Sequence, residues 1–258
     1  MSRVITLTTD FGTADPYVGI MKGVILRINP QVIIVDLCHE IAPQNIAQAT
    51  FLLKTAFRFF PPQTIHVVVV DPGVGGKRRA IILRTGEAYF IAPDNGVLSG
   101  VLEESTDYQA FSISNPKFWL HPVSSTFHGR DIFAPVAAHL SRGVPLEQFG
   151  EPASDLVTLP LPRPEVKGDL IVGQVIHIDH FGNLITNIEE ELLEGELSLE
   201  IQGHRIGKLS PCYEAGEELL ALIGSTGNLE IAVKNGSAAE RLRARIGTPV
   251  RIRRCHGG

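Results

Sequence analysis

Residues Thr64–Asp71, TIHVVVVD, read as a β-strand whose apolar residues follow one another without alternation and which ends in an acid. A strand with one wet face alternates apolar and polar side chains. An unbroken Val/Ile run instead marks a strand buried on both faces, as in parallel sheets covered by helices. Working outward, Val4–Thr9 (VITLTT) is a β-branched run followed by Asp10, and Val32–Leu37 (VIIVDL) repeats the apolar texture and carries Asp36 near its end. Helical patterns lie between these runs. After Pro16, YVGIMKGVILRI places Val18, Met21, Ile25 and Ile28 on one stripe, and Asn29-Pro30 ends it. NIAQATFLLKTAFRFF (Asn45–Phe60) predicts a helix stopped by Pro61-Pro62. AIILRT and AYFIAPDNG add shorter strands, and DIFAPVAAHLSRG predicts a later helix with Gly143 as its C-cap. The alternation predicts an α/β N-terminal domain with a mostly parallel sheet flanked by helices.

The texture then changes. LPLPRPEVKGD (Leu159–Asp169) holds three prolines and reads as a stiff linker. Beyond it, short β-rich segments such as LIVGQVIHID, GNLITNI, ELSLEIQG and GNLEIAV are punctuated by Gly and Asn. They predict a small antiparallel barrel or sandwich. The expected organisation is an α/β domain over 1–159, a linker over 160–168, and a smaller all-β, barrel-like domain over 169–258.

The 258 residues are 44% hydrophobic and 20% charged, the balance of an ordinary folded globule. A formal charge of −5 argues against a nucleic-acid binder that relies on bulk positive charge. Three scattered cysteines, Cys38, Cys212 and Cys255, without a C-x-x-C pair, suggest reduced thiols in a cytoplasmic protein. No leader peptide is expected, because the chain enters a strand directly, and no apolar run is long enough to span a membrane.

Ligands of open α/β sheets bind beyond the C-terminal strand ends. Asp10, Asp36 and Asp71 are expected there. Asp10-Phe11-Gly12 spells the DFG of protein kinases, and His128-Gly129-Arg130-Asp131 approaches their H-R-D. The order is reversed and no nucleotide lobe precedes Asp10, so a kinase is excluded. Asp71 opens the loop PGVGGKRR, whose glycines let backbone N–H groups approach a ligand, or which is simply a tight β–β connection. Its spacing matches neither G-x-x-x-x-G-K-[ST] nor G-x-G-x-x-G. In STFHGRD, Asp131 reads as an N-cap or first-turn acid. No second His or Cys at ligand spacing accompanies His128, so no metal is expected. DHFGNLITN gathers Asp179, Phe181, Asn183 and Asn187 on a turn, and GSTGNLEIAVKNGSA sets two polar turns around one strand. Four loop clusters over two domains suggest a site in a crevice.

TLTTDFGTADPYVGIMKG, VVDPGVGGKRRAI, APDNGVLS, TFHGRDIFAPVAAHL, DHFGNLITNI and STGNLEIAVKNGSA, in this order, resemble the S-adenosylmethionine hydroxide adenosyltransferase family, relatives of fluorinating and chlorinating enzymes. The resemblance implies attack of water or hydroxide on C5′ of S-adenosylmethionine, giving adenosine and L-methionine, with no cofactor and no metal. It implies homotrimers with the active site between the N-domain of one subunit and the C-domain of its neighbour. It implies a catalytic set Asp71, Arg78 and His128, with Arg79 the competing register for the arginine and either Asp71 or His128 taking the proton. For binding it implies Asp10 at the ribose hydroxyls, Phe127 and Phe181 as walls, and Asn183 at adenine or ribose. Asp179 would meet the methionine ammonium, Ser225 and Glu230 the methionine end, and the backbone from Val233 to Asn235 the adenine edge. Gln44 and Ile185 stand where the halogenating enzymes have aromatic residues. A halogenase and a non-catalytic adenosine or S-adenosylmethionine binder are the alternatives.

Overall fold

The computed structural model describes residues 3–255. The chain divides into two compact units, one up to Leu161 and one from Pro162 on.

The first unit is built on a six-stranded sheet. Its elements in chain order are β1 (Val4–Thr9), α1 (Tyr17–Ile28), β2 (Ile33–Cys38), α2 (Ile46–Ala56), β3 (Ile65–Val69), β4 (Ala80–Thr85), β5 (Tyr89–Pro93), α3 (Ser99–Glu104), β6 (Tyr108–Ser112) and α4 (Ala134–Ser141). The strand order is β2-β1-β3-β5-β4-β6. β2, β1, β3 and β5 pair in parallel, whereas β4 pairs antiparallel with both β5 and β6, so the expected α/β sheet is mixed.

β1 and β3 are buried on both faces, as expected, but β2 is not: it is the edge strand of the sheet, none of its residues is buried and Ile33 is 54% exposed, because an edge position leaves its apolar run only partly covered. Ile65, Val67 and Val69 of β3 join Val18, Met21 and Ile25 of α1 and Val136 of α4 in one core layer. Val68, with Val70 just past the strand, joins Ala49 and Leu53 of α2 and Val101 of α3 in the other. Successive side chains point to opposite faces of a strand, so a run of valines feeds both layers at once.

Three local readings are corrected. The helix expected to reach Phe60 ends at Ala56 and tightens into a 3₁₀ turn, Phe57–Phe59, ahead of Pro61-Pro62. The later helix begins earlier than Asp131, with a π-type turn over Gly129–Phe133 that runs into α4, so of the two roles expected for Asp131 it takes that of first-turn acid and not that of N-cap. Asp36 lies inside β2 rather than at its end. Gly143 does close α4, at φ +87°, with its N–H donating to Leu140 O at 2.9 Å.

The second unit comprises β7 (Glu165–Lys167), β8 (Leu170–Ile178), β9 (Leu184–Glu189), β10 (Glu196–Ile201), β11 (His204–Ile206), β12 (Leu219–Ile223), β13 (Asn228–Val233), α5 (Ala238–Leu242) and β14 (Pro249–Cys255). All its named strand pairs are antiparallel, in the order β11-β10-β14-β8-β9-β13-β12 with β7 on β8. A bridge between Leu209 and Ala221 draws the two ends together, making the sheet a nearly closed barrel around Ile171, Val175, Leu199, Ile231 and Val250. Part of the expected linker is therefore strand: after Pro164 the chain pairs with β8 through a turn at Gly168, φ +57°.

Cys38 and Cys212 are free thiols, while the side chain of Cys255 lies outside the described residues. Among the described residues no helix is long and apolar enough to cross a membrane.

Candidate active site

β3 delivers its chain to Asp71, where the PGVGG loop begins. Gly75 adopts φ +74°, and a Cβ there would sit 2.1 Å from the carbonyl oxygen of Ser125. Only glycine lets this loop lie against the segment leading to His128. The contact brings two distant stretches together. Arg78 Nε donates to both oxygens of Asp71 at 3.0 and 2.9 Å, and its Nη2 donates to Oδ2 at 2.5 Å. The same Nη2 donates to His128 Nδ1 at 2.7 Å. The Asp71 and Arg78 side chains are nearly buried, and the guanidinium lies 5.4 Å from the ring centroid of Phe133.

These contacts determine a proton position. Guanidinium has no acceptor, so His128 Nδ1 must carry the lone pair and the ring is neutral. Burial, reinforced by the Arg78 cation, holds the His128 pKa below the usual imidazole value, against the opposing pull of Asp71, Asp131 and a hydrogen bond with the Ser124 backbone.

Arg79 faces elsewhere. It donates to Asp94 Oδ2 at 2.9 and 2.6 Å and to Asp155 Oδ1 at 2.7 Å. Of the two arginines, Arg78 is the one that meets Asp71 and His128. Asp131 is fully buried; it accepts from Ser124 N at 2.8 Å and pairs with Arg130, bracing the turn before His128.

Asp10 sits just past β1, and its Oδ2 accepts from Gln44 N at 2.7 Å. Beside it Phe11, Tyr17 and Phe127 pack edge to face, with centroids 5.2 to 5.9 Å apart. Phe11 and Tyr17 were missed from sequence, although aromatic residues flanking an acid at a strand end are a usable signal. Asn95 was missed as well: its Nδ2 donates to Val70 O at 2.9 Å and so steadies the approach to Asp71.

In the second unit Asp179 organises the turn between β8 and β9. Its Oδ1 accepts from the N–H groups of Phe181 and Asn183 at 2.9 and 2.8 Å, and Oδ2 accepts from Asn183 Nδ2 at 2.9 Å. Gly182, φ +81°, presses so closely on Ser237 that a Cβ would lie 2.1 Å from its Oγ. The turn leaves Phe181 74% exposed while Asn183 is buried. On the neighbouring β13, Glu230 is buried and accepts a short hydrogen bond from Tyr213 Oη. Burial first, then the Asp179 charge, raise the Glu230 pKa despite that bond. Burial and the bond to Glu230 push Tyr213 up to about 12. Ser225 and Asn235 are exposed on the turns flanking β13, Asn235 at φ +55°, and Val233 O accepts from Gly236 N at 3.2 Å. Among the described residues no group of three or more His, Cys, Asp or Glu is placed to hold a metal ion.

Fold and polar groups together describe a two-domain protein, an α/β unit with an Asp–Arg–His chain at a strand end and a barrel unit with an acid-centred turn. The sequence matches the SAM hydroxide adenosyltransferase N-terminal domain over residues 5–150 and the C-terminal domain of the same name over residues 173–251, and the chain belongs to that family. It is 37% identical to an (R)-S-adenosyl-L-methionine hydrolase of Salinispora tropica, over 96% of this chain and 97% of the relative. It is 30% identical to a fluorinase of Nocardia brasiliensis, over 97% and 96%. A crystal structure of an uncharacterized conserved protein from Thermotoga maritima superposes with a TM-score of 0.91 at 38% identity, covering 97% of this chain and all (100%) of the other.

Proposed function

We propose that this chain hydrolyses S-adenosyl-L-methionine by attack of water at C5′, releasing adenosine and L-methionine. The observation that carries the reading is the hydrogen-bonded chain Asp71–Arg78–His128 at the end of β3. The C5′–S bond breaks with its electron pair going to sulfur. The sulfonium leaves as a neutral thioether, so no general acid is needed. The C5′–O bond forms, and the proton of the water must go to a base. The single lone pair of neutral His128, on Nδ1, is engaged by Arg78, whereas the Asp71 carboxylate, with about four acceptor sites, keeps one beyond its three bonds from Arg78, and the proton is assigned to it. Arg78 uses Nε and Nη2 on its two neighbours, and its Nη1 hydrogens are assigned to the oxygen of the attacking water. Alignment of that water with the C5′–S bond is worth roughly 7–11 kcal/mol.

Asp10 is assigned to the ribose hydroxyls, Phe127 and Phe181 to the apolar surfaces, Asn183 to adenine or ribose, and the Val233–Asn235 backbone to the adenine edge. Asp179 and Glu230 bring two acids near one another, an electrostatic setting that favours a bound ammonium; with Ser225 they are assigned to the methionine end. The assignments on the two domains are united by a homotrimer with inter-subunit sites, in the cytoplasm. A halide nucleophile is disfavoured because the Asp71 carboxylate repels it.

The test is incubation of the purified protein with S-adenosyl-L-methionine, following adenosine and methionine by chromatography. Asp71→Ala is expected to lower kcat by about 10² to 10⁴-fold. Wild-type release no faster than that variant sinks the reading, and 5′-halo-5′-deoxyadenosine formed in high halide would replace it.

A further inference from the structure

Asp36 stands out in the sequence, yet the hydrolytic set has no use for it. In the structure it anchors a hydrogen-bonded chain across α1, β2 and β1. Lys22 Nζ of α1 donates to Asp36 Oδ2 at 2.5 Å, and His39 Nε2 lies 2.9 Å from Oδ1. His39 Nδ1 lies 2.8 Å from Thr9 Oγ1, and Thr9 Oγ1 accepts from Phe11 N at 3.2 Å. His39 is 6% exposed and Thr9 is fully buried. A register shift makes the chain possible. Leu7 pairs with Asp36 but Thr8 pairs with Cys38, so one residue of β2 is bulged out and His39 comes alongside Thr9.

The donor and acceptor roles start from the carboxylate end of the chain. Desolvation of Asp36 opposes its ionisation, but the hydrogen bonds from His39 and Lys22 outweigh it and keep the carboxyl anionic. The carboxylate only accepts, so His39 Nε2 donates. In the tautomer that carries its proton on Nε2 alone, Nδ1 accepts from the Thr9 hydroxyl, whose oxygen accepts from the Phe11 amide. In that tautomer all donations run one way, from Phe11 to Asp36, an arrangement in which each bond polarises the next. Carboxylate, imidazole and hydroxyl stand in the order of a hydrolase triad, but the Thr9 oxygen is buried and already bonded, so it is no nucleophile. What the chain holds is the Asp10-Phe11-Gly12 turn. His39 grips that turn a second time, because its backbone carbonyl accepts from Gly12 N at 2.8 Å.

We propose that His39, with Thr9 and Asp36, is a positioning residue that aims the Asp10 carboxylate at the ribose hydroxyls of the substrate. The proposal rests on the assignment of Asp10 within the hydrolase reading. Gln44 N restrains Oδ2 of Asp10 from the loop after β2, and the relay restrains the backbone on the other side.

The experiment compares Thr9→Val, Thr9→Ser, Asp36→Ala and Asp10→Ala with wild type, measuring KM and kcat for S-adenosyl-L-methionine and the affinity for adenosine by calorimetry. Thr9→Val, isosteric but without the hydroxyl, should raise KM and the adenosine Kd about ten-fold while kcat stays within about two-fold. Thr9→Ser should restore both to within about two-fold of wild type. Asp36→Ala, at a partly exposed position, should weaken adenosine in the same direction even if Thr9→Val does not fold. Wild-type KM and adenosine affinity in both relay variants, alongside weakened binding in Asp10→Ala, would overturn the relay and leave the Asp10 assignment standing. A wild-type protein that binds adenosine but releases none from S-adenosyl-L-methionine defeats the hydrolase reading instead, and the relay is then judged on adenosine affinity. Absence of both binding and turnover overturns the two together.

Discussion

His66 and His128 show how one residue type takes opposite tasks. His128 is placed against Arg78, which keeps its ring neutral and its Nδ1 engaged. His66, in the middle of β3, is fully buried, stacks on Phe90 at 5.1 Å and accepts or donates one hydrogen bond with Thr6 at 2.8 Å. Its Nε2 has no partner, and burial lowers its pKa to about 4. A folded pKa below the unfolded value means that the unfolded chain binds the proton first. The stability is therefore fully present above about 6.5 and is lost as pH falls from there towards about 4. The loss is on the order of 3 kcal/mol. Denaturant titrations at pH 7 and pH 4 should show the stability difference between wild type and His66→Leu moving by that amount in favour of the variant. An unchanged difference would remove His66 as an acid-sensitive group. At Asp10, Asp10→Ala should mainly raise KM, whereas Asp71→Ala acts on kcat; steady-state kinetics with an untouched KM would defeat the ribose assignment.

At the scale of elements, the Asp71–Arg78–His128 chain exists because two loops touch. Asp71 and Arg78 bracket one loop and His128 ends the other, and the contact between them passes through Gly75 and the Ser125 carbonyl. Gly75→Ala inserts a methyl group at 2.1 Å from that carbonyl, on top of the left-handed strain of about 1–2 kcal/mol. Gly12, φ +65°, has nothing within 4 Å of its would-be Cβ, so Gly12→Ala meets the strain alone. Gly75→Ala should therefore lower Tm more than Gly12→Ala and cut kcat sharply by separating Arg78 from His128. Equal melting temperatures and full activity would show that the loop adapts.

At the scale of the molecule, the proposed trimer makes a distinctive claim. The groups assigned to catalysis belong to the first unit and most of those assigned to the substrate belong to the second. If each site joins the first unit of one subunit to the second unit of the next, two different inactive chains complement each other. Asp71→Ala and Asp179→Ala chains, mixed under conditions that exchange subunits, should recover about a quarter of the wild-type activity, because one junction in four pairs two intact halves. Recovery of none, in mixtures shown to have exchanged, would place each site within one chain.

Much of this protein is written locally. The β-branched run at Val4–Thr9 and the unbroken apolar run within Thr64–Asp71 determine strands, and the apolar stripe of Tyr17–Ile28 determines the helix that covers them, because side-chain periodicity acts over a few residues. The ordered motifs were sufficient for the family, and Asp10 and Asp71 were legible as strand-end acids. What the sequence left open needed distance in space. Arg78 and Arg79 are neighbours in the chain, and only the packing of 124–128 and 155 around them sends one to Asp71 and the other to Asp94. Barrel and sandwich differ only in whether the far ends of a sheet meet, which Leu209 and Ala221 decide. Asp36 reads as a strand-end acid until a bulge, invisible to any hydrophobic pattern, carries it inside β2 and sets His39 against Thr9. Local propensity chose the elements, while long-range contacts chose the partners of each polar group, because a hydrogen bond depends on position to a few tenths of an ångström.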